Sequence, residues 1–200
     1  RGRANDVSGA YPRNDGSVGQ LPMKEGKPQY NVYNTDAAWG AQWNLSQLWT
    51  LAYPEYMSEY VSSHIQAYKD AGWLADGLAN NRYVSGVGTN LLSTIIAGAY
   101  QCGIRDFDTK LAYEACLKNE LDGKDRPFGA GKVNTAEFVK YGYVPHQDQG
   151  EGYHETFMFS ASHTLEYSYS AWAVAQWAKS LGDTENYDKL MNLSKGWERL

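Results

Sequence analysis

Short and long links alternate between apolar-periodic runs along this chain, and that alternation restricts it to helices stacked as hairpins. Trp39, Trp43, Leu45, Leu48, Trp49 and Ala52 recur at spacings of three and four and predict a helix over 36–52. Tyr53-Pro54-Glu55 breaks it and starts a second over 54–72, because proline suits a first helical turn. Further runs predict helices over 89–102, 108–121 (capped by Asp108), 135–141 and 162–181, and another from 184. The links at 53–55, 103–107 and 182–183 are short enough only to turn a helix back on its neighbour. The segments 73–88 and 122–161, and the leader 1–34, are long, and loops of that length in a compact domain usually carry function. Short links then fall on one rim and long ones on the other. The expected fold is all-α, an α/α toroid with one working face, and seven helices leave a six-hairpin ring incomplete.

The leader 1–34 is rich in Gly, Pro, Asn and Asp (Arg13-Asn14-Asp15-Gly16, Leu21-Pro22, Lys27-Pro28) and reads as loop or hairpin, an inter-domain segment ahead of a barrel over 35–200. A net charge of -5 with no basic stripe excludes a nucleic-acid backbone as partner. No apolar run approaches the roughly 20 residues that span a bilayer. Seven Trp and sixteen Tyr against five Phe give the chain many flat apolar faces with polar edges, which suit sugars as well as helix packing. Cys102 and Cys116 should sit on antiparallel helices about 9 Å out of step at 1.5 Å per residue, too far for a disulfide. Both are expected as free thiols.

Zinc, P-loop and nucleophile-elbow motifs are absent from the sequence. The glycine run Ser85-Gly86-Val87-Gly88-Thr89 lacks a lysine and a preceding strand, so it reads as a close backbone approach, with Thr89 or Asn90 capping the next helix. The densest chemistry lies in His146-Gln147-Asp148-Gln149-Gly150-Glu151-Gly152-Tyr153-His154-Glu155, with Glu166 in the helix beyond. Two imidazoles and several carboxylates supply a proton donor, a proton acceptor and oxygen ligands for a hard cation. Asp148, Glu151 and Glu155 are the catalytic candidates there; His146 and His154 are expected sugar contacts, and with His163 they form a site or serve singly as structural hydrogen-bonders. Asp36 is either a fourth catalytic acid or a helix N-cap. Trp39 and Trp43, four apart, form either a pyranose platform or a core seam. Trp73 and the polar run Asn80-Asn81-Arg82-Tyr83, with Asn81 and Arg82, complete the expected sugar contacts. Asn44-Leu45-Ser46 and Asn192-Leu193-Ser194 match a glycosylation pattern but fall within expected helices.

The stretch from Ser162-His163-Thr164-Leu165-Glu166-Tyr167 through Trp172 to Gly182, and the tail from Glu185 to Trp197, resemble the family 92 glycoside hydrolases. So do Gly72-Trp73-Leu74 and the segment Ala97 to Asp108. The resemblance runs in order through most of 35–200, with Thr164-Leu165-Glu166-Tyr167 its most specific part. It implies a calcium-dependent, exo-acting, inverting α-mannosidase acting on glycans, periplasmic or extracellular in bacteria. The implied fold is a β-rich domain followed by an (α/α)6 barrel, of which this chain is part. Glu166 matches as a calcium-site residue. Elsewhere the chain departs: Gly40 follows Trp39 where an Asp is expected, Arg82 follows Asn81 where the general acid is expected, and Ser170 and Ala171 stand at acidic positions. Arginine does not donate a proton at neutral pH. Two readings follow: a glycosidase whose acid and base lie among Asp36 and the 146–155 loop, or a barrel that binds glycan without cleaving it.

Overall fold

A computed structural model describes residues 2–35, 38–85, 87–146 and 159–200. The leader folds into two small antiparallel hairpins, β1 (Ala10–Pro12) with β2 (Val18–Gln20) and β3 (Met23–Lys24) with β4 (Lys27–Pro28). They close over a minor core of Tyr11, Leu21 and Val32. The tyrosine hydroxyls then tie this layer to the helices: Tyr11 donates to Asp70 at 2.7 Å and Tyr30 to Gln66 at 2.7 Å.

The helices are α1 (Ala38–Gln42), α2 (Leu45–Ala52), α3 (Pro54–Ala71), α4 (Leu92–Gln101), α5 (Thr109–Leu121), α6 (Thr135–Tyr141), α7 (Ser160–Leu181) and α8 (Thr184–Leu193). Pro54 opens α3, and Asp108 and Asp183 accept the Leu111 and Asn186 amides as N-caps of α5 and α8. The longest, α7, packs against α4, α5 and α8. Its Trp177 is fully buried between Tyr100, stacked at 4.6 Å, and Tyr113 at 5.3 Å. Both cysteines are free, Cys102 exposed and Cys116 buried.

The expected first helix is two helices. The chain breaks at Trp43-Asn44, and the Gln47 amide (2.9 Å) and Ser46 hydroxyl (3.4 Å) satisfy the Gln42 carbonyl that a continuous helix would have used. Asn44 therefore stands at a helix junction rather than inside a helix. The helix expected over 89–102 is α4, which starts at Leu92, and neither Thr89 nor Asn90 caps it. Asn90 takes a left-handed φ of 41° and spends its side-chain amide on Leu74 O (2.9 Å) and Gly131 O (3.2 Å). Bridging two loops has displaced capping.

A strand pair inside the long 73–88 link was not expected from the sequence. β5 (Gly77–Ala79) turns through Asn80-Asn81 into β6 (Arg82–Val84), both turn residues having positive φ (49° and 57°), which matches the right-handed twist of a two-residue hairpin. A strand therefore does precede the glycine run, although no lysine follows it.

Links of like length gather together. Glu55, at the start of α3, and Arg105 to Asp108 of the α4–α5 link line one cavity of about 590 Å³. The long segments hydrogen-bond to one another instead: Thr35 to Leu78 (2.9 Å), Asp76 to Gly129 (3.0 Å), Gly131 to Leu74 (2.9 Å) and Val133 to Gly88 (3.0 Å). Gln29 and Tyr30 of the leader line that same short-link cavity, so the leader is not confined to the rim of long links where the sequence pattern placed it.

Candidate functional site

On the rim of long links, Trp39 of α1 and Trp43, the residue after its last turn, meet edge to face, with centroids 5.2 Å apart. The break after α1 leaves Trp43 uncovered, 64% exposed. Beside them opens a pocket of about 180 Å³. The glycine-run loop contributes Val87 and Thr89, and the start of α7 contributes Phe159, Ser162, His163 and Glu166. Helical spacing puts the last three on one face of α7. Residues more than a hundred positions apart thus share one aromatic pocket.

Its electrostatics follow from burial. His163 is 2% exposed and its Nε2 lies 3.0 Å from Val87 O. A carbonyl only accepts, so Nε2 carries the proton and Nδ1 holds a lone pair. Burial lowers the imidazole pKa below 6.5, with the Val87 bond opposing. Glu166 is half-buried, and desolvation raises its carboxyl while the Lys132 charge works against that shift. The His163 shift has a sign that can be measured. Below pH 6.5 the unfolded imidazole takes up a proton that the folded one refuses, so its stabilisation is complete above that pH and is lost as pH falls. In His163→Gln the melting temperature should fall less steeply than in the parent between about pH 6.5 and 5; equal slopes would place the imidazole in solvent.

Beneath the pocket lies a buried polar core. Lys132 Nζ sits 2.6 and 2.5 Å from the two carboxylate oxygens of Glu120, both side chains 1% exposed. Ser93 of α4 donates to Glu120 at 2.6 Å and Ser170 of α7 at 2.9 Å. The ammonium lies 5.0 Å from the centre of the Tyr167 ring. Tyr167 stacks on His163 at 5.5 Å, and its hydroxyl reaches Gly88 O (3.1 Å) and Val133 O (2.5 Å). Asp76, also buried, accepts the amides of Gly88 (3.3 Å) and Asn90 (3.2 Å). Sequence reasoning missed Glu120, Lys132 and Asp76. For Glu120 a signal existed: it continues the buried stripe of Ala112, Ala115, Cys116 and Asn119 along α5.

Of the residues singled out from the sequence, Trp39, Trp43 and Glu166 line the pocket, with His163. Trp73 is buried beneath Lys118, whose Nζ lies 4.2 Å from the ring centre, and does not line it. Asn81 is buried in the hairpin turn, Arg82 projects from exposed β6, and His146 is exposed. Asp36, Asp148, Glu151, His154 and Glu155 lie outside the described residues.

The chain thus combines a helical scaffold with one loop-rich rim, on which aromatic faces and a half-buried carboxyl line a small pocket. The model of the "Glycosyl hydrolase family 92 catalytic domain" matches residues 1–200, and the chain belongs to that family. It is 32% identical over 158 residues to an "Uncharacterized secreted glycosidase" of Arthroderma benhamiae, a match spanning 76% of this chain and 20% of that protein. Its fold is similar to the family GH92 inverting mannosidase of Bacteroides thetaiotaomicron VPI-5482 (TM-score 0.75, 23% identity, 96% of this chain and 25% of that one). It is also similar to an α-mannosidase of the same family and species solved with mannoimidazole (TM-score 0.78, 20% identity, 98% and 23%). The chain thus spans about a quarter or less of the proteins it matches.

Proposed function

We propose that the protein hydrolyses α-linked, mannose-type glycans with inversion, and that the pocket between α1 and the start of α7 receives the sugar. The observation that supports this reading is the convergence of Trp39, Trp43 and Glu166 on one pocket, in a chain matched along its whole length by a glycoside hydrolase family. The indoles offer apolar faces for a pyranose ring. An inverting pair needs carboxylates about 6.5–9.5 Å apart to admit a water. Glu166 is the one carboxylate of the pocket among the described residues, so the acid and base are assigned to Asp36, Asp148, Glu151 and Glu155.

Calcium is part of the same proposal, with Glu166 as its residue. The described residues alone do not fit it: no group of three His, Cys, Asp or Glu side chains gathers among them, against the roughly six to eight oxygens calcium takes.

We read residues 35–200 as part of an (α/α)6 toroid and 1–34 as the segment joining it to a neighbouring domain. An open apolar groove of about 610 Å³ between α2, α4 and α7 supports the toroid, since further helices would cover it. Leu51 is 85% exposed at its edge. The protein works outside the cytoplasm, as the description of the fungal relative suggests. No described helix is long and apolar enough to cross a membrane.

The test is a screen of defined α- and β-linked glycosides, with and without a chelator. Asp148→Asn and Glu155→Gln should each lower turnover at least about a hundredfold with little change in melting temperature, as for acid–base groups. Parent-like rates in both would remove that loop from the mechanism. Trp43→Ala should raise KM about three- to tenfold without loss of stability, because the ring is largely exposed. A second reading, glycan binding without cleavage, draws on exposed Arg82, which stands where the resemblance expects the general acid. Saturable binding with no turnover of any glycoside would favour it.

A further inference from the structure

Two polar atoms beside the aromatic pocket have no hydrogen-bond partner among the described residues: His163 Nδ1 and Thr89 Oγ1. Both side chains are more than nine-tenths buried, and both residues line the pocket. A buried acceptor left unpaired is costly, and native folds rarely keep one without a use for it. The two belong to one wall. Imidazole Cε1, the atom between the ring nitrogens, lies 4.0 Å from where a Cβ on Gly88 would sit, and Thr89 is the next residue. The imidazole is held on three sides: its Nε2 proton goes to Val87 O, Tyr167 stacks on one face, and Phe159 lies 5.5 Å away. Its free lone pair therefore has a fixed direction.

Resting on the glycan reading above, we propose that His163 Nδ1 and Thr89 Oγ1 are the hydroxyl-reading pair of this pocket. One ring hydroxyl of a pyranose donates to the imidazole, and a second meets the threonine oxygen, which both donates and accepts. The ligand class is a neutral sugar ring with two free hydroxyls on one edge. The indoles grip any such ring by its apolar face, and these two atoms decide which hydroxyl pattern is kept. An anionic ligand is disfavoured, because the imidazole offers a lone pair and Glu166 lines the same space.

The experiment is a titration of the full-length protein with methyl α-mannoside and its singly deoxygenated analogues. It reads affinity by calorimetry and His163 by ¹⁵N NMR. The Nδ1 resonance should move upfield on saturation, as for a bare nitrogen that gains a hydrogen bond. Thr89→Val, which keeps shape, should weaken binding about fivefold, and the penalty for one deoxy analogue should vanish in that variant. His163→Gln keeps an amide to donate to Val87 O but offers no acceptor at the Nδ1 position, and should weaken binding about tenfold with the fold intact. His163→Asn restores an acceptor there and should recover part of the loss. Parent-like affinity in Thr89→Val and His163→Gln, with the glycoside still bound, overturns the proposal and leaves the glycan reading standing. No binding by any pyranoside overturns both.

Discussion

Lys132→Met is expected to lower unfolding free energy by about 3–5 kcal/mol, a large share of a domain's stability. The ammonium is the counter-charge of Glu120, and each side chain is only 1% exposed. Removing it leaves a buried carboxylate with two serine donors, Ser93 and Ser170, and no opposite charge. Leaving a charge so exposed to low dielectric is far worse than never burying it. The double variant Lys132→Met/Glu120→Leu should therefore recover most of the loss, since well-packed apolar replacements of buried pairs are often neutral. Urea unfolding monitored by tryptophan fluorescence measures all four corners of the cycle. A single-variant loss under about 1 kcal/mol would mean that water reaches the pair.

Gly88→Ala comes next in expected size, at about 2–5 kcal/mol from two additive causes. Gly88 has a φ of 78°, where an L side chain costs about 1–2 kcal/mol. A Cβ there would also fall well inside contact distance of Val133 Cγ2, and such overpacking costs about 1–3 kcal/mol. The position cannot yield easily, because Gly88 O receives both the Val133 amide and the Tyr167 hydroxyl. Val133→Ala in the same chain should relieve the crowding and leave the backbone cost. A double variant as unstable as Gly88→Ala alone would show that φ carries the whole effect. Since Val87 and Thr89 flank the site of change, glycoside affinity should fall together with stability.

Local chemistry made much of the helical framework readable in advance. Pro54 could only begin a helix, Asp108 offered a cap, and Gly182-Asp183 could only turn α7 back into α8. These features act over a few residues, which a sequence displays directly. The break at Trp43-Asn44 was hidden because Gln47 and Ser46 reach back to a freed carbonyl, a substitution that leaves the apolar spacing unchanged. The β5–β6 hairpin has a signal in Asn80-Asn81, since asparagine tolerates the left-handed turn, but the same polar run suits sugar contacts equally well. The Thr89 or Asn90 cap failed because a loop forty residues away offered Asn90 other partners. That Trp39 and Trp43 share a face was legible because they stand four residues apart, and both line one pocket with Glu166. Lys132 was not, because only the tertiary fold carries it from a loop to a carboxylate on α5.

The stitching of long link to long link has a consequence for how this rim breathes. Amides of Asp76, Gly131 and Val133 are each protected by a carbonyl from a different segment. They should exchange with deuterium as a single cooperative group, at a common opening energy, rather than loop by loop. Residues 127–133, none of which lines the pocket, would then retune its ligand preference by altering how often that shared unit opens.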